Sequence, residues 1–177
     1  MRNPGLTALL AAALASAPAL AAAVAPESAP LSNTARKAAA PLDFELAGSR
    51  RFVRLSDLPA KTTLINFWRS DCPPCVREMP LLAELARSGK VRVVTVALQR
   101  PYETAAAPAA ILDALNLPLL SLHGPSEPRG LLARFGNPHG ALPHTVLLDP
   151  SRRPCGQHTG ELSPAWLAKA QARCAEN

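Results

Sequence analysis

The chain has 177 residues, of which 48% are apolar, 18% charged and only 4% aromatic, and it carries a formal net charge of +6. This length suits one domain plus extensions, and the composition excludes a collagen-like chain and wholesale disorder. The positive charge comes mostly from scattered arginines without a long basic run, so the sequence does not predict nucleic-acid binding.

The N-terminal residues follow the order of a secretory signal peptide. Arg2 supplies a positive charge, residues 6–14 are rich in leucine and alanine, and small residues lead to a cleavage site near Ala23 or Ala25. We therefore predict a signal peptide over residues 1–23 and an exported protein without stable membrane insertion after cleavage. An uncleaved membrane anchor is the alternative, since the apolar stretch approaches membrane-spanning length.

The rest of the chain divides into a leader and a folded domain. Residues 24–40 are rich in Ala, Pro and Ser and lack periodicity, which predicts a flexible leader. Residues 41–177 alternate between apolar runs of strand length and segments with helical spacing. The predicted elements, in chain order, are a β-hairpin of 44–46 and 52–55, a strand at 62–68, a helix at 72–88, a strand at 91–98, a helix at 105–115, an extended segment at 117–122, a helix at 130–135, paired strands at 145–148 and 155–160, and a last helix from 163 to 174.

This order of elements predicts the fold class. Strands that alternate with helices favour parallel pairing with right-handed crossovers. The last two strands are close in sequence and add an antiparallel hairpin. The expected fold class is therefore α/β, with a mixed central sheet, helices on both faces and an N-terminal β-hairpin extension.

Cys72 and Cys75 form a Cys-x-x-Cys motif where a predicted strand passes into a predicted helix. The first sulfur then lies at a helix N-terminus, where unpaired N–H groups and the helix dipole stabilise a thiolate. Pro73 and Pro74 fit the first helical turn and stiffen the ring that a disulfide would close. The arrangement favours thiol–disulfide exchange. A zinc site and a purely structural disulfide are the alternatives.

Cys155 and Cys174 lie on the last predicted strand and the last predicted helix. Both elements span ~17 Å, at about 3.3 Å per strand residue and about 1.5 Å per helix residue. A helix that folds back antiparallel to the strand returns Cys174 to Cys155. This predicts a structural disulfide that stabilises the fold by about 3 kcal/mol. Two free thiols or a second redox pair are the alternatives.

Several further residues and segments accompany the Cys-x-x-Cys motif. They are Leu55–Leu58, Lys61, Leu64–Trp68, Glu78, Pro80 and Leu142–Thr145. With the Cys-x-x-Cys, they give residues 41–177 a resemblance to exported thioredoxin-fold thiol–disulfide oxidoreductases, specifically the TlpA/ResA/CcmG-like branch. The resemblance implies a thioredoxin fold, a periplasmic location and a protein-disulfide oxidoreductase activity, with no cofactor and no metal.

The same resemblance implies roles for individual residues. Cys72 matches the exposed nucleophile and Cys75 the buried resolving cysteine. Glu78 follows Cys75 by three residues on the same helix face, and it is expected to accept or donate a proton as Cys75 attacks the mixed disulfide. The alternative for Glu78 is an exposed carboxylate paired with Arg77 or Lys61.

Pro143 matches a loop proline that is cis and packs against the disulfide in these proteins. The resemblance therefore implies that Pro143, with Leu142 and Trp68, shapes a substrate groove. The backbone just before the proline would pair there with a bound peptide, in the manner of an added strand.

Two residues depart from the family pattern. Asp71 replaces the large residue that usually precedes the first cysteine, and it suits a helix N-cap. Its carboxylate would oppose ionisation of the Cys72 thiol unless Arg69 or Arg77 offsets it. His144 replaces the usual small residue after the loop proline and is expected at the surface, with a titrating neighbour of Cys72 as the alternative.

The favoured hypothesis is a reductase that acts on disulfides of exported client proteins, such as the cysteines of an apocytochrome or a copper protein. Its electrons would come from a membrane thiol donor, and its partners are protein thiols and disulfides. A dithiol oxidant of the same fold is the first alternative. A copper-binding chaperone without turnover, in which the Cys-x-x-Cys sulfurs and His144 hold the metal, is the second.

Overall fold

The computed structural model describes residues 39–116 and 119–176. The predicted signal peptide, residues 1–23, and nearly all of the predicted leader, residues 24–40, lie outside this part of the chain. None of the helices in the described ranges has the length and apolar character needed to cross a bilayer.

Seven strands form one sheet in the order β2-β1-β5-β4-β3-β6-β7. The strands are β1 (Glu45–Ala47), β2 (Phe52–Arg54), β3 (Thr63–Trp68), β4 (Arg92–Ala97), β5 (Leu120–His123), β6 (His144–Leu148) and β7 (Pro154–Thr159). Strands β3, β4 and β5 are parallel, whereas β1 pairs antiparallel with β2 and with β5, and β6 pairs antiparallel with β3 and β7. The sheet is thus mixed and carries the N-terminal hairpin, as predicted.

Helices cover both faces of this sheet. The described residues form α1 (Pro73–Arg87), α2 (Pro101–Ala105), α3 (Ala109–Leu115), α4 (Arg129–Arg134) and α5 (Pro164–Ala175). Because side chains alternate along a strand, β3 sends Leu64 and Trp68 to the core shared with α1, α3 and α5, and Ile65 and Phe67 to the core shared with α4. The expected α/β architecture is confirmed.

The helix predicted for residues 105–115 begins later than expected, at Ala109 in α3, and a separate short helix, α2, ends at Ala105. Proline disfavours helical backbone at the preceding residue and has no N–H to donate to the previous turn. Pro108 is instead the N-cap of α3, and its carbonyl accepts a hydrogen bond from the Ile111 N–H at 2.8 Å.

The sheet brings two distant segments to one edge. Cys72 follows the carboxyl end of β3, which is central and fully buried. Since β6 runs antiparallel to β3, with Phe67 opposite His144, the amino end of β6 meets the carboxyl end of β3. The loop containing Pro143 therefore arrives beside the strand that leads to Cys72.

A disulfide joins the last strand to the last helix. Cys155 on β7 and Cys174 on α5 are both buried and bonded to each other, with their Cα atoms 5.3 Å apart. Helix α5 thus returns its carboxyl end to the start of β7. Ser163 is the N-cap of this helix and accepts a hydrogen bond from the Trp166 N–H at 3.2 Å.

Candidate active site

The Cys-x-x-Cys lies at the start of α1, with Cys72 as the N-cap. Pro73 and Pro74 have no N–H groups, so the first amide that the helix can offer is that of Cys75. This N–H donates to Cys72 Sγ at 3.3 Å. The two cysteines form a disulfide with Cα atoms 5.3 Å apart, and Cys72 is half-buried whereas Cys75 is fully buried. One sulfur is therefore accessible and the other protected.

Asp71 is ion-paired next to the exposed sulfur. The Arg69 guanidinium donates to both carboxylate oxygens of Asp71, at 2.8 and 2.9 Å, and to the Leu98 carbonyl at 3.0 Å. The hydrogen bond from Arg69 lowers the pKa of Asp71. Asp71 is thus not the N-cap, because Cys72 occupies that position, and its negative charge is offset by Arg69.

Glu78 is buried, with only 2% of its surface exposed. The expected alternative, an exposed carboxylate paired with Arg77 or Lys61, is therefore wrong. Arg77 pairs instead with Glu161 at 2.7 Å, and Lys61 donates to the Gly89 carbonyl. Both charged neighbours predicted for Glu78 point to other partners.

The Glu78 carboxyl receives two hydrogen bonds from distant parts of the chain. Asn66 Nδ2 donates to Oε1 at 2.7 Å, and the backbone N–H of Leu162 donates to Oε2 at 2.9 Å. Burial raises the pKa of Glu78 to about 7, although both hydrogen bonds favour the ionised form. A carboxyl group with this pKa can exchange a proton near neutral pH.

The raised pKa of Glu78 predicts a pH-dependent stability of the oxidised protein. The ordinary pKa in the unfolded chain is about 4.3, so the folded protein retains a proton that the unfolded chain releases. This contribution is fully present below about pH 4 and is lost as the pH rises through the folded value of about 7. We expect the free energy of unfolding to fall by about 2 kcal/mol between about pH 5 and pH 8, measured by denaturant titration.

Glu78→Gln should remove most of this slope, because the titrating group is gone. Glu84→Gln is the matched control, since Glu84 lies on the exposed side of the same helix. A Glu78→Gln protein that keeps the wild-type slope, or a Glu84→Gln protein that loses it, would contradict the assignment.

The three residues predicted to shape the substrate groove differ in exposure. Leu142 is half-buried and Pro143 is buried, and the Leu142–Pro143 peptide bond is cis, as the resemblance implies. Among the described residues, no hydrogen bond engages the Leu142 backbone N–H or carbonyl. Trp68 is only 1% exposed and packs in the same core as Cys75. It therefore lies beneath the site and presents almost no surface to a substrate.

His144 is 1% exposed, so its predicted surface location is wrong. Nε2 donates to the Phe135 carbonyl at 2.8 Å, and Nδ1 accepts from the Thr159 hydroxyl at 2.9 Å. A carbonyl only accepts, so the proton lies on Nε2. Burial lowers the pKa of His144 and favours this neutral form. Neither nitrogen can bind copper without breaking a hydrogen bond, and no three metal-ligating side chains cluster within residues 39–116 and 119–176.

Two polar residues of the site were not identified from the sequence. Asn66 lies between Ile65 and Phe67 in a buried strand, and a buried amide must find hydrogen-bond partners. A polar residue inside this apolar run therefore indicated a buried polar contact. Gln99 joins the loop before Cys72 to the end of β4: its Oε1 accepts from the Ser70 N–H at 2.7 Å, and its Nε2 donates to the Ser70 hydroxyl at 2.9 Å. Nothing in the sequence indicated this second contact.

Among the known proteins and structures that are similar to this chain, three illustrate the resemblance. It is 36% identical over 105 residues to a thiol:disulfide interchange protein DsbE homolog of Paracoccus denitrificans, a match that covers 56% of this chain and 51% of that protein. It is 43% identical over 49 residues to the thiol-disulfide oxidoreductase ResA of Oceanobacillus iheyensis, covering 26% of each. The matches thus span about half and a quarter of these relatives. A thioredoxin-related protein from Neisseria meningitidis serogroup B superposes with a TM-score of 0.63 at 25% identity, over 75% of this chain and 100% of that chain.

Residues 32–154 match the sequence profile of the redoxin family. This range contains the Cys-x-x-Cys, Asn66, Glu78 and the Pro143 loop, and it ends just before Cys155. The resemblance inferred from the sequence is thereby confirmed, together with the thioredoxin-like fold. Because the match extends over more than half of the chain, the protein belongs to the redoxin family.

Proposed function

We propose that this protein is a periplasmic protein-disulfide oxidoreductase that reduces disulfides in exported client proteins. The observation that carries the proposal is the pairing of a half-exposed Cys72 with a fully buried Cys75 at the N-terminus of α1. One accessible sulfur can react with a large partner, and the buried sulfur can then displace that partner.

The reaction has two thiol–disulfide exchange steps. In the reduced protein, the Cys72 thiolate attacks one sulfur of a client disulfide, forms a mixed disulfide and releases the other client sulfur as a thiolate. Cys75 then gives its proton to the Glu78 carboxylate, and the new thiolate attacks Cys72 Sγ. The Cys72–Cys75 disulfide forms and the second client thiolate leaves, so the client gains the two electrons that the protein loses.

The Pro143 loop supplies a place for the client backbone. The Leu142 N–H and carbonyl make no hydrogen bond among the described residues, so an extended segment of a client can pair with them as an added strand. The partly exposed side chain of Leu142 lines this groove, while the buried Trp68 packs beneath it.

The reducing direction and the partners belong to the same proposal. The supporting similarity is to relatives named as a thiol:disulfide interchange protein DsbE homolog and as ResA. We assign the electrons to a membrane thiol donor, because Cys72–Cys75 must be reduced again after each cycle. Exported proteins that need reduced cysteines, such as an apocytochrome or a copper protein, are the proposed clients.

Acid-quenched thiol trapping in the native cells, followed by peptide mapping, tests the direction. We expect Cys72 and Cys75 to be mostly free, because a reductase is kept reduced between encounters, and Cys155 and Cys174 to be bridged. The control is the same measurement in cells treated with a permeant reductant, which defines full reduction of the active-site pair. An active-site pair that stays oxidised while its cells are growing normally would overturn the reductase assignment in favour of a dithiol oxidant.

A further inference from the structure

Three buried polar side chains from separate elements meet beside the Cys-x-x-Cys helix. Asn66 on β3 and Thr145 on β6 face each other across the sheet, and Glu78 packs against them from α1. Each is at most 2% exposed. The Asn66 amide donates to Glu78 Oε1 at 2.7 Å and to Thr145 Oγ1 at 3.0 Å.

The direction of the Asn66 amide is fixed by this pair of contacts. A primary amide has two N–H donors, and here one goes to the carboxylate and the other to the hydroxyl. When Glu78 is ionised, the flipped amide would place its oxygen against Glu78 Oε1, where two acceptors repel. Asn66 Oδ1 has no hydrogen-bond partner among the described residues. The structure thus leaves a buried acceptor unpaired while both donors are used.

We propose that Asn66 is a positioning residue for the thiol–disulfide reaction, favouring the ionised state of the Glu78 carboxyl and holding it in the orientation in which it takes the proton of Cys75. This inference rests on the proposed function and deepens its second step. Asn66 itself touches neither the client nor the reacting sulfurs in this mechanism. It acts through Glu78, and Thr145 acts through Asn66.

Two other groups around Glu78 also act on its pKa. From the loop before α5, the Leu162 N–H donates to the opposite oxygen at 2.9 Å. Glu161 in the same loop raises the pKa of Glu78, but its charge is paired with Arg77 at 2.7 Å. Burial is therefore opposed first by the Leu162 N–H and then by Asn66, which is the side-chain donor to this carboxyl.

The test replaces Asn66 with leucine, which has a similar volume and no donor. Carboxyl 13C chemical shifts of labelled glutamates in the oxidised protein report the Glu78 pKa without any turnover. We expect Asn66→Leu to raise this pKa by about one pH unit from its value of about 7. A folded Asn66→Leu protein with an unchanged Glu78 pKa would overturn the proposal.

Single-turnover kinetics provide the second readout. A pKa raised by about one unit lowers the ionised fraction of Glu78 at pH 7 from about a half to about a tenth, so the attack by Cys75 should slow by about fivefold. The rate should recover as the pH rises to about 9, and Asn66→Leu should have no further effect in a Glu78→Gln background. A loss of rate that is equal at every pH would indicate a merely structural role and would overturn the proposal.

Thr145→Val and Thr95→Val form a matched pair of controls. Both threonines are buried and lie directly opposite Asn66 on its two neighbouring strands, but the Asn66 amide donates to Thr145. We expect a smaller rise in the Glu78 pKa for Thr145→Val and none for Thr95→Val. Equal effects of the two substitutions would contradict the assigned hydrogen-bond network.

Two further results separate this inference from the proposed function. A wild-type protein that does not reduce disulfides refutes the function, while the 13C titration of the oxidised protein still decides the placement of Asn66. If Asn66→Leu does not fold, the isosteric Asn66→Asp replaces it, because a second carboxylate cannot donate and repels Glu78. Asn66→Asp should raise the Glu78 pKa further, and a pKa that stays at the wild-type value would overturn the inference.

Discussion

Cys72→Ser is expected to abolish disulfide reduction, with a loss of about a thousandfold or more, because Cys72 is the one of the four cysteines that is not buried. Cys75 is fully buried and cannot replace Cys72 as the first nucleophile. Cys75→Ser should have a different consequence. Cys72 can still attack the client, but nothing displaces the client afterwards, so the protein and client should remain joined as a mixed disulfide.

Reduction of an insulin disulfide measures the first expectation, and non-reducing electrophoresis with intact mass measures the second. The matched control is the double variant Cys155→Ser/Cys174→Ser, which also lacks one cysteine pair but should keep the reductase activity. Disulfide reduction that survives Cys72→Ser would refute the proposed enzyme. A mixed disulfide that forms through Cys75 in the absence of Cys72 would reverse the assigned roles.

Cys155→Ser/Cys174→Ser is expected to lower the free energy of unfolding by about 3 kcal/mol. The two cysteines are separated by 19 residues, and a crosslink of this length restricts the unfolded chain. The loss should be concentrated in the attachment of α5 to β7, since these are the elements that the disulfide joins. Denaturant titration monitored by circular dichroism measures the difference.

The active-site double variant Cys72→Ser/Cys75→Ser is the matched comparison, because the same number of sulfurs is replaced. Its disulfide closes a loop with a separation of only 3 residues, so the loss of stability should be smaller. An equal loss in both variants, or no loss in Cys155→Ser/Cys174→Ser, would contradict a stabilising role for the second disulfide.

The order of elements was predictable because it depends on local patterns. The buried run of β3, the helical spacing after Cys72 and the hairpin near the N-terminus each showed their periodicity within a few residues. The helix predicted at residues 105–115 begins only at Ala109, and the reason is local as well. Pro108 disfavours helical backbone at the residue before it and so sets the start of this helix.

The chemistry of the two cysteines was also evident from the sequence. A Cys-x-x-Cys at the end of an apolar strand places one sulfur at a helix N-terminus whatever the rest of the fold does. The return of Cys174 to Cys155 followed from the similar lengths of β7 and α5. These inferences needed only spacing and element lengths.

Only the tertiary structure decided the environment of the remaining polar groups. Glu78 could equally have been exposed beside Arg77, and its burial depends on contacts with β3 and with the loop before α5, whose Leu162 is 84 residues away. His144 was expected at the surface, but it lies in the core, where it stacks with Phe67 and bonds to the Phe135 carbonyl. The sequence by itself determined which residues are the candidates for the reaction, because reactivity follows residue type and local spacing. The tertiary structure decided how Glu78 titrates, because a pKa depends on solvation and hydrogen-bond partners brought together from distant segments.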